Sequence, residues 1–218
     1  MNRVFHLFLV LFSIPASALL AQKAEKFHRE NPSPEFKDGI YTNIEMVKNN
    51  SPVPASWIET DLDPGDRNFY KKITRTDLLV FYDDNGVRSY LNTGSIWGYA
   101  SRGDLYINVG GGFHKIDFVG RISHFIASKT TYAPMKYLDD PDIWYSPLYV
   151  LTLKYREYLV DIEENKVWEF DMQGIERVLK NDPLLLKEFK NLDKRKKEKM
   201  KYIYLLRYNQ KYPLDIHF

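Results

Sequence analysis

Clustered carboxylates are the first residues in this chain that could carry out chemistry. Asp61, Asp63 and Asp66 lie within six positions of one another, and hard cations such as Ca²⁺ prefer grouped oxygen ligands. A calcium loop, however, needs glycine at its sixth position and a bidentate glutamate at its twelfth. This chain has Asp66 and Lys72 there. We therefore interpret the segment as a solvated acidic loop.

A second acidic cluster opens an alternative chemistry. Asp139, Asp140 and Asp142 form ordinary turn sequences. Two convergent acids can hydrolyse a glycosidic bond if the fold sets them at a suitable separation. Asp61 or Asp63 would then have to meet Asp139 or Asp142 over an aromatic cleft. A carbohydrate-active hydrolase with paired carboxylates is therefore the alternative function.

Other motif-like residues give weaker signals. His114 and His124 lie on successive predicted strands, but a zinc site needs further ligands and the chain has no cysteine. Ser95 directly follows Gly94, whereas a nucleophile elbow has the pattern G-x-S-x-G. The three glycines at 110–112 are not followed by the lysine of a phosphate loop. We expect no metal, no cofactor and no catalytic residue.

Aromatic side chains are a more informative feature. The chain has 16 Tyr, 13 Phe and 4 Trp. Most of these rings are expected in the core, but exposed rings beside a concave sheet stack on sugars or apolar ligands at low entropic cost. The candidate ligand-binding residues are Trp97, Tyr99, Tyr106 and Trp144.

A basic strip near the carboxyl end is the second candidate surface. Residues 187–201 hold eight Lys or Arg against three acids, in a chain whose formal net charge is only +2. Such a strip could associate weakly with anionic envelope surfaces, and a solvated helix face is the other interpretation. Its candidate residues are Lys190, Lys194, Arg195, Lys197 and Lys201. The near-neutral balance disfavours a nucleic-acid partner.

The amino-terminal residues have the layout of a secretory signal peptide. Arg3 precedes an apolar run at 4–14 and a segment at 16–21 that contains the small residues Ala16, Ser17, Ala18 and Ala21. The run is shorter than the roughly 20 apolar residues that span a bilayer. We expect cleavage after Ala18 or Ala21, export to the periplasm or the exterior, and no transmembrane segment after cleavage.

The predicted organisation has four parts. The signal peptide covers 1–21 and a flexible, proline-containing lead-in covers 22–37. A β-rich region follows at 38–171, and C-terminal helices at 172–218 pack on the same domain. The expected fold class is therefore α+β.

The β-rich region is predicted to be an antiparallel meander, because short apolar runs alternate with Gly, Asn or Asp turns. The clearest hairpin joins Leu78–Tyr82 to residues 87–91 across Asn85-Gly86. Long aromatic sheets twist and avoid free edges, so we expect strong curvature or an open barrel. A short strand is predicted at 39–41, and the further strands at 95–100, 105–109, 113–119, 121–127, 149–155, 158–162 and 167–170.

Helices are predicted on both sides of the meander. Asn43 caps a short helix over 44–48. A C-terminal helix covers 174–180, and Asp182-Pro183 opens a second, long helix that runs to Tyr208. These C-terminal helices are expected to cover an open side of the sheet.

The order of several short motifs resembles an uncharacterised family of exported Bacteroidota proteins. The motifs are Gly39-x-Tyr41, Asn50-Ser51-Pro52, Trp97-Gly98-Tyr99, Tyr106-Ile107, Gly120-Arg121, Tyr158-Leu159-x-Asp161, the helix start at 182–185, and Tyr208-Asn209 with Pro213. The resemblance implies secretion and fold type, and it transfers no active site. The sequence thus favours a non-enzymatic binding or interaction module for a small molecule, glycan or protein.

Overall fold

The computed structural model describes residues 34–83, 85–134 and 149–216, of which 129–134 and 149–153 are described by their backbone alone. The strands are β1 Gly39–Tyr41, β2 Leu78–Tyr82, β3 Arg88–Asn92, β4 Gly98–Ser101, β5 Asp104–Val109, β6 Gly112–Phe118, β7 Ile122–Pro134, β8 Tyr149–Asp161 and β9 Lys166–Glu169. The helices are α1 Ile44–Lys48, α2 Phe69–Ile73, α3 Met172–Leu179, α4 Pro183–Lys190 and α5 Lys194–Lys211.

The strands form an open antiparallel sheet. Seven of them lie in the order β1-β4-β5-β6-β7-β8-β9, and β2 pairs with β3 as a separate hairpin. The predicted α+β class, antiparallel meander and C-terminal helices are confirmed. The sheet does not close into a barrel, because its first and last strands, β1 and β9, do not pair with each other.

Local sequence accounts for many of these elements. The Asn43 side chain accepts a hydrogen bond from the Met46 amide and caps α1, as predicted. Strands β2 and β3 pair from Leu78 with Asn92 to Tyr82 with Arg88. Gly86 lies in the turn between β2 and β3. Its φ of +73° is in the left-handed region of backbone space, where glycine has no steric penalty.

Two strand assignments differ from the prediction. The two strands predicted at 149–155 and 158–162 are one, because Arg156 and Glu157 pair with β7 and do not form a turn. Strand β4 begins only at Gly98, after a 3₁₀ turn at Thr93–Ser95.

The single long helix predicted from Asp182 to Tyr208 is wrong. The Asp193 side chain accepts a hydrogen bond from the Lys196 amide and starts α5 as a separate helix. Apolar spacing continues across the break, so periodicity alone could not show it.

The core lies on both faces of the sheet. Alternate residues of a strand point to opposite faces, and buried neighbours such as Leu159 and Val160 belong to different apolar clusters. One face carries a single cluster around Tyr41 and Phe125. The opposite face carries two: α2 and the β2–β3 hairpin cover the β4–β5 end, and α3–α5 cover the β8–β9 end.

Two buried asparagines join distant parts of the chain. Asn209 of α5 accepts from the Ile122 amide at 2.9 Å and donates to the Ile122 carbonyl at 2.9 Å. Its amide group leaves no room for a Cβ at Gly120, which would lie 2.7 Å from Asn209 Oδ1. Asn50 accepts from the Tyr41 hydroxyl at 2.8 Å and from the Lys37 amide at 2.9 Å.

The Asn50 contacts also anchor the end of the lead-in. Phe36, placed by sequence in the flexible segment 22–37, is buried against Tyr41. The end of the predicted lead-in is therefore part of the packed domain.

Candidate functional site

A polar cleft of about 780 Å³ lies between α2, the end of β3 and the strands β4–β6. Its position follows from the fold, because α2 covers only the first part of this sheet face. The apolar side of α2, formed by Phe69, Tyr70 and Ile73, packs on the sheet. The polar side of the same segment is left facing the cleft.

Stacked aromatic rings form one wall of the cleft. The rings of Tyr99 and Tyr106 lie 4.5 Å apart and nearly parallel, at 11°. Tyr70 also stacks on Tyr99, with ring centroids 6.2 Å apart, and the Phe113 ring centroid lies 5.4 Å from that of Tyr99. Tyr99 is therefore buried, whereas Tyr106 and Phe113 are half-buried and present ring surface to the cleft.

The Tyr99 hydroxyl stays protonated at neutral pH. Burial raises the pKa of Tyr99 to about 12, the neighbouring Tyr106 adds to the rise, and Arg75 opposes it. The wall therefore carries no negative charge that would repel an anion.

Cations line the opposite side. Arg67, Lys71 and Arg75 are spaced four residues apart through α2 and its flanking turns, and all three are exposed. Arg102, on the turn between β4 and β5, also lines the cleft. Among the described residues none of these four cations has a carboxylate within 4 Å.

The cleft also contains two acids. Asp77 and Asp104 belong to its lining. Asp104 Oδ1 lies 2.7 Å from Lys115 Nζ, so this carboxylate is already held by a cation. Counted over the lining, cations exceed acids.

The structure brings together two of the four predicted ligand-binding residues. Tyr99 and Tyr106 stack in the cleft wall. Trp97 is buried in the cluster on the other face of the sheet, where its indole nitrogen donates to Asn165 Oδ1 at 2.9 Å. Trp144 lies outside the described residues.

Two candidate residues of the predicted basic strip make contacts within the protein. Lys201 Nζ lies 3.2 Å from Glu157 and 3.1 Å from Glu198, and it donates to the Phe170 carbonyl. Lys197 lies 3.8 Å from Glu176 and over the Phe189 ring. The other three of the five candidate residues in the strip are exposed: Lys190, Lys194 and Arg195.

The metal and acid candidates do not converge in the described part of the chain. His114 and His124 lie on the neighbouring strands β6 and β7, but their rings are on opposite faces of the sheet. His114 stacks on Phe125 of one apolar cluster, whereas His124 contacts Phe170 and Tyr202 of another. No group of three or more His, Cys, Asp or Glu among the described residues could hold a metal ion. Asp61 and Asp63 do not line the cleft, and Asp139 and Asp142 lie outside the described residues.

Sequence reasoning missed the residues of α2. The segment follows the acidic loop, and neither a helix nor a site is predicted from sequence at residues 67–76. The detectable signal was the recurrence of a cation at 67, 71 and 75, which places them on one helical face.

Comparison of the chain with models of protein families, with curated proteins and with solved structures finds no match. The fold and cleft therefore define this chain only as an open-sheet α+β protein with a cationic, aromatic-walled cleft. Within the described residues, no helix has the length and apolar character to cross a membrane.

Proposed function

We propose that this chain is an exported, non-enzymatic binding module that holds a saccharide in the cleft between α2 and strands β4–β6. The observation that carries the proposal is the cleft itself, in which one-sided aromatic surface faces polar and cationic groups. Saccharides have apolar ring faces and polar edges, and sites for such ligands combine aromatic contacts with a few oriented polar groups.

The acids of the cleft favour binding over hydrolysis. Paired-carboxylate hydrolysis needs one proton-donating acid and one free carboxylate. Asp77 and Asp104 are the lining acids, and Lys115 is already bonded to Asp104. The Asp104 carboxylate is thus not free, which supports recognition without turnover.

Export is supported by the layout of residues 1–21, with a basic start, an apolar run and small residues. Membership of the exported Bacteroidota family rests on the order of the short motifs in the sequence alone.

Isothermal titration of the purified protein with a panel of neutral and acidic oligosaccharides tests the proposal. Tyr106→Ala is expected to weaken binding about tenfold, because it removes the half-buried ring of the cleft wall. Tyr90→Ala is the matched control, since Tyr90 is 74% exposed on the β2–β3 hairpin and does not line the cleft.

Equal losses in the two tyrosine variants would contradict the assignment of the site. If shortened sugars were released during the titration, the proposed function would be hydrolysis and not binding alone. Loss of that release in Asp77→Asn would then identify Asp77 as the catalytic acid.

A further inference from the structure

We propose that the ligand of this cleft is an acidic saccharide, whose carboxylate or sulfate groups are bound by Arg67, Lys71, Arg75 and Arg102. The inference rests on the proposed function, because it specifies the ligand of the same site. It adds a charge requirement that an aromatic wall alone does not impose.

The first argument is the contrast between these cations and others in the fold. Lys72 belongs to the same helix and is ion-paired with Asp66, and Arg88 forms two hydrogen bonds to Glu59. The protein thus supplies carboxylates to neighbouring cations. It leaves four cations of one cleft without such a partner among the described residues.

The second argument is electrostatic. Like charges that line one concavity repel one another and attract counter-ions, and low-dielectric walls concentrate this field. Arg67, Lys71 and Arg75 lie on one face of the α2 segment, where spacing of four residues brings side chains together. Such an arrangement destabilises the empty site slightly, and an anionic ligand relieves it.

The third argument selects a saccharide over a planar base. A nucleobase is usually clamped between ring faces or stacked on a free one. Tyr99 is buried, and its ring already stacks on those of Tyr70 and Tyr106. The ring surface that remains comes from half-buried Tyr106 and Phe113, on one side of the cleft. One-sided ring contact opposite arginines suits a sugar that carries acidic substituents.

The test compares charged and uncharged versions of one saccharide. The probes are oligogalacturonate with its neutral methyl ester, and dextran sulfate with dextran, so that the carboxylate and sulfate sources are separated. We expect at least one charged probe to bind ten or more times more tightly than its neutral form, with affinity falling as salt rises from ~0.05 to ~0.3 M.

Variants locate the effect. Combined Arg67→Ala, Lys71→Ala and Arg75→Ala substitutions are expected to weaken charged-probe binding about a hundredfold, because charge-assisted hydrogen bonds are lost. The control combines Lys190→Ala, Lys194→Ala and Arg195→Ala. It removes the same formal charge from exposed positions and is expected to change affinity less than about twofold.

The outcomes separate the two levels of the proposal. Equal binding of charged and neutral probes, or equal losses in both triple variants, overturns the acidic ligand and leaves saccharide binding standing. Binding of no saccharide by the folded wild-type protein overturns both. Thermal unfolding monitored by circular dichroism verifies that the variants fold, and single Lys71→Gln and Arg75→Gln variants repeat the test with smaller changes.

Discussion

The cations at the two ends of one sheet face differ in whether they have a carboxylate partner. At the helical end, Lys197, Lys201, Arg207 and Lys211 of α5 each lie within 4 Å of a carboxylate. At the cleft end, the four lining cations have no such partner among the described residues. Within 187–201, Lys196, Lys197 and Lys201 have a carboxylate within 4 Å in the described part of the chain. The last two pair with residues outside α5 and so help to hold that helix in place, whereas the cleft cations are available to a ligand.

The pair formed by Lys211 and Asp182 illustrates the helical end. Lys211 Nζ lies 2.6 Å from Asp182 Oδ2 and, by hydrogen bonding, holds the pKa of Asp182 below its usual value. The same carboxylate accepts from the Leu184 and Leu185 amides at the start of α4. One acid therefore caps one helix and holds the end of another.

The largest expected effect concerns the joint between α5 and the sheet. Asn209→Ala leaves the buried amide and carbonyl of Ile122 without their partners. We expect the free energy of unfolding to fall by about 2–4 kcal/mol, measured by urea denaturation. Gln210→Ala, at an exposed position of the same helix, should change it by less than about 0.5 kcal/mol.

If the Asn209 variant were as stable as the wild type, this side chain would not hold α5 to the sheet. The proposed difference between a structural helical end and a ligand-binding cleft end would then lose its support. The saccharide titration sharpens the same point, because a folded Asn209 variant should keep the affinity of the cleft.

The second effect concerns Lys201, which sequence placed on a ligand surface. Lys201→Ala removes two ion pairs, a hydrogen bond to the Phe170 carbonyl and a cation–π contact at 4.8 Å from the Phe170 ring centroid. We expect a loss of about 1–2 kcal/mol in the free energy of unfolding. Lys199→Ala is the exposed control, and equal stability of the two variants would return Lys201 to the candidate ligand surface.

The smallest effect is a pH dependence at His124. Its ring is buried against Phe170 and Tyr202, and among the described residues its Nε2 has no hydrogen-bond partner. Burial lowers the pKa of His124, although Glu157 and Asp117 act to raise it. The unfolded chain therefore binds the proton more readily than the folded chain. The contribution of neutral His124 to the free energy of unfolding is fully present above about pH 6.5 and declines as the pH falls below that value.

Urea denaturation at about pH 7.5 and pH 5.5 measures this decline. His124→Phe keeps a planar ring without a titrating group, so its stability should change less between the two pH values. An identical pH dependence in the wild type and the variant would assign the decline to other groups.

Sequence patterns were sufficient where neighbouring residues decide the structure. Asn43 caps α1, Leu78–Tyr82 forms a hairpin strand, and Asp182-Pro183 starts α4, all as predicted. The break before α5 depended on whether Asp193 would cap a new helix, and apolar periodicity carries no information on that choice.

The candidate site was predictable only in part, for the same reason. Tyr99 and Tyr106 were identified as aromatic residues on predicted strands, but their stacking requires that β4 and β5 pair in one register. Trp97, only two positions from Tyr99, belongs to the cluster on the opposite face. Composition could not distinguish the two.

By itself, the sequence determined the α+β class, the antiparallel meander and the starts of α1 and α4, because caps, turns and alternation act over a few residues. Only the tertiary structure decided which cations are neutralised and which remain in a cleft. The partners Glu157 and Asp182 lie 44 and 29 positions from Lys201 and Lys211. Pairing over such separations is set by strand order and helix packing, which no local pattern encodes.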